Sequence, residues 1–369
     1  MMALTINEIK LKNFRNYSHL VLSQLGSLVI IVGPNAIGKT NIIEAIQLTT
    51  SFVSSRNASI NQLIKWKNSQ ATIETHIKDS QRDLKIDLTL EEEKKNYYLN
   101  GKKKRSKELK GILPSVSFFP DDLSLIKGSQ SIKRKNLDTF GSQASQNFQT
   151  VKKDYEKTLQ HKNYLLKEDT FVPNTVIDAL NETLITTGIQ FYLYRKALLE
   201  KLIPSIKKHY EIISYNKEKL NIKYCSSWCE DEEETNKEIL NEKFKIALQQ
   251  KADEEKRRGY ALVGPHTDKI MYEINSQDAV VYASQGQQRS LVLSTKLAEV
   301  EILQEITGQK PILLLDDVMS ELDKDRRETL LNFIKNDIQT FITTTHLEYF
   351  SENVLKHAHI IDLNSPLFT

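Results

Sequence analysis

Apolar positions along the chain fall into three patterns. Residues 4–12 alternate as Leu-Thr-Ile-Asn-Glu-Ile-Lys-Leu-Lys, which predicts a half-buried strand at a sheet edge. Leu28-Val29-Ile30-Ile31-Val32 is instead unbroken and largely β-branched, the pattern of a strand covered on both faces. It stops at Gly33, and after a short polar stretch Ile42, Ile43, Ala45, Ile46 and Leu48 recur near helical spacing. The order is therefore strand, glycine-bearing loop, helix. Alternation resumes over residues 71–77 and 84–90, and Tyr97-Tyr98-Leu99 runs into Asn100-Gly101, a pair suited to a hairpin turn. These segments predict antiparallel strands.

From about residue 133 to 255 the chain is rich in lysine and glutamate and its apolar residues take helical spacing, as at Leu180, Leu184, Tyr192, Leu199 and Leu202. Pro173, Gly188, Pro204 and the acidic run 230–234 interrupt any heptad register, so a short compact arm is expected rather than a long coiled-coil rod. Beyond it, strands are predicted at 260–263, 270–274, 312–315 and 340–344, with helices from Gln287 to about Ile306 and from Arg326 to Lys335. They read as the second half of the first α/β sheet. The expected organisation is a split α/β head, residues 1–130 and 256–369, with a mainly helical insertion at 131–255.

Composition adds little. With 39% hydrophobic and 27% charged residues in 369, the chain is an ordinary globular one, and a net charge of +3 identifies no polyanionic partner. Two cysteines, Cys225 and Cys229, exclude a disulfide framework and read as solvated thiols in a reducing compartment. Glu8, Lys10, Lys12 and Arg15 deny the N-terminus an apolar signal core, and no apolar run approaches the ~18 residues of a membrane span. A cytoplasmic protein is expected.

Chemistry concentrates in a few motifs. Gly33-Pro34-Asn35-Ala36-Ile37-Gly38-Lys39-Thr40 has the spacing of a phosphate loop. Its glycines let backbone amides approach phosphate oxygens, Lys39 reaches the β- and γ-phosphates, and the Thr40 hydroxyl suits Mg²⁺. Asn41 follows and is placed either to orient the metal or simply to face solvent. Asp316, at the end of the Ile312–Leu315 strand, would hold Mg²⁺ or its water, since open α/β sheets bind ligands at the carboxyl ends of their strands. Asp317, one residue on, is placed to orient attacking water or accept its proton. Ser284, Gly286 and Gln287 open a helix whose free amides suit phosphate, although a serine there is also an ordinary N-cap. Ser320 to Asp323 follow the acidic pair, and His346 follows the 340–344 strand as a γ-phosphate-sensing candidate. Basic segments at 102–105, Lys107, Lys110, 133–135, 152–153 and 207–208 are candidate DNA contacts or plain solvated faces.

These motifs, with Lys12-Asn13-Phe14-Arg15-Asn16-Tyr17, the Glu44-Ala45-Ile46 continuation, Phe119 to Gly128 and Gly264-Pro265-His266, make the chain resemble the RecF family of bacterial recombination mediator ATPases, related to the SMC group. The resemblance implies an ABC-type head with a short arm, ATP and Mg²⁺ as cofactors, and homodimerisation in which the Ser284 signature of one copy closes over the triphosphate of the other. It further implies slow hydrolysis by a weak ATPase, DNA binding at duplex or single-strand/duplex junctions, and a role in replication, repair and the SOS response. RecR and RecO are the implied partners, with RecA loaded at gaps. The chain departs from the family pattern at Gln130, Ile132, Lys133 and Arg134, at Thr267-Asp268-Lys269, and at 54–57. An SMC-like structural ATPase, a transporter ATPase and a metabolic P-loop kinase stand as alternatives; wide motif spacing argues against the transporter, the interrupted heptads against the SMC rod, and the signature against the kinase.

Overall fold

The computed structural model describes residues 4–54, 56, 58–91, 94–167, 173–231, 234–335 and 338–365. Ser55 and Asn57 of the segment 54–57, and Glu232 and Glu233 of the acidic run 230–234, lie outside the described residues. The chain divides into two compact units, one of Met1–Asp122 with Lys296–Thr369 and one of Leu123–Thr295.

In the first unit β1 (Thr5–Phe14) and β2 (Tyr17–Leu22) form a hairpin, and β3 (Leu28–Val32) leads into the phosphate loop. Strands β4 (Gln70–Lys78), β5 (Asp83–Glu91), β6 (Lys94–Leu99) and β7 (Lys102–Lys104) complete an antiparallel sheet of order β2-β1-β4-β5-β6-β7. β1 is thus an interior strand, not the edge expected from its alternation. The edge belongs to β2, whose Tyr17, Leu20 and Leu22 are buried but whose turn signals are weak. β8 (Ser115–Phe118) closes this part of the chain.

The second unit carries helices Gln130–Ala144, Gln146–Lys167, Asn174–Ile213 and Lys237–Arg258. The third has 40 residues and runs straight through Gly188 and Pro204, both expected to break a register. Gly188 is a packing residue, because a Cβ there would sit 2.7 Å from the Phe244 ring. The last of these helices is well delimited: the Asn236 side chain accepts from Glu238 and Ile239 amides, basic residues fill the final turn, and Gly259 ends it at φ 72°. A small sheet of order β11-β10-β9 joins β9 (Leu220–Cys225), β10 (Lys269–Ile274) and β11 (Gln277–Asp278). Three expectations change here. Residues 220–225 form a strand inside the segment read as helical; residues 260–263 form none; and 270–274 pair with β9 rather than extending the head sheet. That pairing draws residues on both sides of position 255 into one unit. Cys229 is also buried rather than solvated, its thiol facing the Asp231 carbonyl at 3.3 Å, and neither cysteine is in a disulfide.

The chain then re-enters the first unit along the helix Gln285–Thr307. β12 (Ile312–Asp316), β13 (Thr340–Thr344) and β14 (His359–Asp362) join β3 and β8 in a fully parallel sheet of order β14-β3-β13-β12-β8. β12 and β13 are buried throughout and β3 at its centre, whereas the edge strand β14 buries only Ile361; the helix Lys39–Thr50 covers one face of the sheet with Ile42, Ile43, Ala45, Ile46 and Leu48. The buried Gln339 amide stitches this sheet to β1: it donates to Ile6 and Gly26 carbonyls and accepts from the Ile6 amide, where the β1–β4 register shifts and would leave backbone groups unpaired. Among the described residues no helix is long and apolar enough to cross a membrane.

Candidate nucleotide site

The five-stranded sheet sets the site by aligning the carboxyl ends of β3, β12 and β13. β3 ends at Gly33, and the loop turns into the helix Lys39–Thr50 through Ala36 at φ 65° and Gly38 at φ 115°. Gly38 admits no side chain, since a Cβ would lie 2.6 Å from Asn16 Nδ2 and 2.7 Å from the Tyr17 hydroxyl. Asn16 Nδ2 donates to the Ile37 carbonyl at 2.9 Å, Asn41 Nδ2 donates to Asn16 Oδ1 at 2.8 Å, and Arg56 donates to Asn41 Oδ1. Asn41 is therefore part of the loop's scaffold. Behind it Arg15 grips the buried Glu44 carboxylate with two donors at 2.8 and 3.0 Å, and Ser54 donates to the same group. Burial lifts the Tyr17 phenol to about 12.

Pro34, Asn35 and Ala36 are exposed, while Lys39 is 7% exposed. Its ammonium donates to the Gly33 and Pro34 carbonyls at 2.6 and 3.0 Å, so the loop closes around a positive charge. Burial lowers the Lys39 pKa, and the charges of Asp317 and Asp316 oppose that shift. Thr40 and Thr343 hydroxyls both donate to Asp316 Oδ1, at 3.0 and 2.7 Å. Phosphate-loop hydroxyl and strand-end carboxylate, 276 positions apart in sequence, thus share one hydrogen bond.

Asp317 is set differently. It adopts φ 53°, ψ 23°, a left-handed conformation that costs an L-residue about 1 kcal/mol, though aspartate tolerates it better than most. Its amide donates to Thr343 Oγ1 at 2.9 Å, yet its own Oδ1 is buried with no hydrogen-bond partner. Burial raises its pKa; Lys39 pulls it down, Asp316 and Glu321 push it up, and His346 pulls it down. His346 itself is exposed beyond β13, with Thr344 Oγ1 donating to its carbonyl. Thr343, given no role from sequence, organises both aspartates. Its signal, shared with Thr340 and Thr344, is a hydroxyl inside a fully buried strand.

Ser284, Gly286 and Gln287 belong to the second unit. Ser284 is exposed and forms a reciprocal cap with Gln287: the Ser284 amide donates to Gln287 Oε1 at 2.8 Å, and the Gln287 amide to Ser284 Oγ at 3.2 Å. Gln287 Nε2 then donates to Glu218, which also accepts from the Tyr210 hydroxyl. The serine is an N-cap, and its helix tip faces solvent on a fixed support.

Two motif segments of the second unit prove structural. His266 lies between the Tyr155 hydroxyl at 2.6 Å and the Ala261 carbonyl at 3.0 Å, and burial lowers it to about 4. Lys133 is 3% exposed against the Ile270 carbonyl and the Tyr272 ring, and Arg134 donates to the Asp268 carbonyl at 2.6 Å. Lys133 is therefore withdrawn as a phosphate contact. Lys102, Lys103, Arg105, Lys107, Lys153 and Lys208 are exposed as expected of solvated or ligand-facing cations.

The profile describing the RecF/RecN/SMC N-terminal domain matches residues 5–364. A protein called DNA replication and repair protein RecF from Halalkalibacterium halodurans is 37% identical over 97% of both chains, and one of the same name from Pediococcus pentosaceus is 33% identical over 97% of both. A solved structure of the recombination mediator protein RecF-ATP in the RecFOR pathway superposes with a TM-score of 0.87, at 34% identity over 95% of this chain and 94% of that one. The Smc head domain of Pyrococcus furiosus shares the fold alone, with a TM-score of 0.54 at 16% identity.

Proposed function

The chain belongs to the RecF branch of the RecF/RecN/SMC family, and from that premise we propose that it is an ATP-dependent DNA-binding protein of replication and recombinational repair that dimerises around ATP. One observation carries this reading: Lys39 in a closed phosphate loop, the Thr40–Asp316–Thr343 chain, and Asp317 with an unpartnered Oδ1 all meet at one sheet end. Those oxygens are hard donors suited to Mg²⁺, with Thr40 and Asp316 as its protein ligands. A bound cation there would compensate charge on the β- and γ-phosphates.

The rest of the reading assigns roles to this chain's own groups. Lys39 and the loop amides hold the phosphates, and the raised pKa of Asp317 suits it to orient water and take its proton. His346 senses the γ-phosphate from the end of β13. Ser284, Gly286 and Gln287 of a second copy complete the enclosure, so pairing depends on ATP and slow hydrolysis reopens the clamp. DNA at single-strand/duplex junctions is the substrate surface, RecR and RecO are the partners, RecA is loaded downstream at gaps, and the compartment is the cytoplasm.

Sedimentation with and without ATP and DNA, repeated across salt concentrations, tests the reading. ATP should double the mass, and DNA association should fall steeply with salt. Lys39→Ala should lose nucleotide-dependent pairing, and Ser284→Arg should bind ATP as a monomer without pairing. ATP-induced dimers persisting in both variants would end this account.

A further inference from the structure

Immediately before the signature serine stands a short helix, Ala279–Tyr282, with an unusual face. Ala279 is 1% exposed, while Val281 and Tyr282 are each 67% exposed. Among the described residues only Trp66 is a more exposed large apolar side chain. The backbone that presents the pair is fixed: Asp278 Oδ1 accepts from the Val280 amide at 2.8 Å, and Gln288 Nε2 donates to the Ala283 carbonyl at 2.6 Å. No charged residue lies between Asp278 and Ser284. Two large apolar side chains are thus held in water on an ordered segment, an arrangement that costs solvation free energy unless something covers it.

We infer that Val281 and Tyr282 form an apolar contact surface for a second copy of this chain, which covers them when ATP closes the pair. This rests on the proposed trans arrangement of the Ser284 signature and adds residues that touch no nucleotide. Geometry selects the occupant. Tyr282 precedes Ser284 by two residues, so their Cα atoms are within about 7 Å of each other. If Ser284 approaches a triphosphate held by another copy, the side chains beside it meet that copy's surface around the phosphate loop. A closed dimer has two-fold symmetry, so each residue contributes twice.

The test measures dimer dissociation by sedimentation with an ATP analogue that resists hydrolysis, alongside nucleotide affinity at concentrations where the protein is monomeric. Tyr282→Ser should weaken pairing about ten-fold per copy, hence about a hundred-fold per dimer, with monomer nucleotide affinity unchanged. Tyr282→Phe should pair normally, and Tyr164→Ser, which alters another exposed tyrosine on the helix Gln146–Lys167, should have no effect. If Tyr282→Ser does not fold, Val281→Ser carries the same expectation with a smaller loss. Wild-type pairing with undiminished pairing of Tyr282→Ser and Val281→Ser overturns this inference alone. A wild-type chain that never pairs with nucleotide overturns it together with the trans arrangement.

Discussion

The nucleotide site of the first unit and the ionic core of the second use the same residue types in opposite ways. At the nucleotide site Asp317 sits in a left-handed conformation with a buried oxygen unpartnered, and its neighbour Lys39 is bonded only to its own loop. In the second unit Arg195, 2% exposed, bonds the Asp138 carboxylate with two donors at 2.8 Å and the Pro265 carbonyl with a third. Tyr224 donates to Asp268 at 2.6 Å, and Lys162 pairs with Glu255 at 2.6 Å, all buried. Here every charge named has a counter-charge or dipole, and the groups tie together four helices and the small sheet. Strain and unmet hydrogen-bonding capacity coincide at Asp317, whereas the Arg195 guanidinium is saturated. A titratable residue in a motif or a basic run is thus not by itself a ligand contact: His266 and Lys133 are both held inside the second unit.

The contrast would break most visibly at Arg195. Arg195→Ala leaves Asp138 buried without its partner, and removal of one member of such a pair costs about 3–5 kcal/mol. Urea denaturation should show the second unit melting at markedly lower concentration, while nucleotide affinity of the folded protein stays within two-fold. Lys39→Ala should do the reverse, with affinity lost and the denaturation midpoint nearly kept. Equal midpoints for Arg195→Ala and the parent would mean that the saturated network contributes no more than surface ion pairs do.

The sequence made the nucleotide side legible because its constraints are local: glycine spacing, a lysine, and acidic residues ending an apolar run each occupy a few consecutive positions. The parallel strands 28–32 and 312–315 were equally plain from unbroken apolar runs, and 340–344 from a β-branched and aromatic one. What escaped depends on partners far apart in the chain. Thr343 gains its role only from Asp316 and Asp317, Gln339 only from Ile6, and β9 only from a strand about fifty residues later. Gly188 and Pro204 misled for a related reason. Helix propensity penalises both, but close packing against Phe244 favours Gly188, while Pro204 lies at an exposed position within the helix.

The same comparison sharpens with pH. Burial raises Asp268 from 3.8 to about 6, against the pull of Tyr224 and Arg195, and lowers His266 from 6.5 to about 4. Between about pH 4 and 6 the folded chain keeps a proton on Asp268 that the unfolded chain has released, so this group makes stability fall as pH rises. Between about pH 4 and 6.5 the unfolded chain carries a proton on His266 that the folded chain excludes, so this group makes stability rise with pH. Each effect spans about 3 kcal/mol, and they nearly cancel. Asp268→Asn removes the falling component. Its denaturation midpoint, relative to the parent, should therefore climb between pH 4 and 6.5. A constant offset across that range would show that the burial of Asp268 exerts no such penalty.

The smallest effect separates the two regions by sign. Asp138→Asn takes a counter-charge from the buried Arg195 guanidinium and should destabilise the second unit. Asp317→Asn removes a carboxylate that burial and Asp316 both disfavour, and keeps a side chain that tolerates the left-handed backbone. Solvent reaches part of this residue and screens its charge, so the gain is below about 1 kcal/mol, a small rise in the unfolding midpoint. On the proposed role of Asp317 as proton acceptor, it should come with slower ATP turnover and longer-lived dimers, because that group is lost while the phosphate loop is intact. A functional carboxylate held at a cost to folding predicts this pairing of higher stability with lower activity. If Asp317→Asn unfolds as readily as Asp138→Asn, then Asp317 is scaffold too, and its unpartnered oxygen does not mark a ligand-facing group.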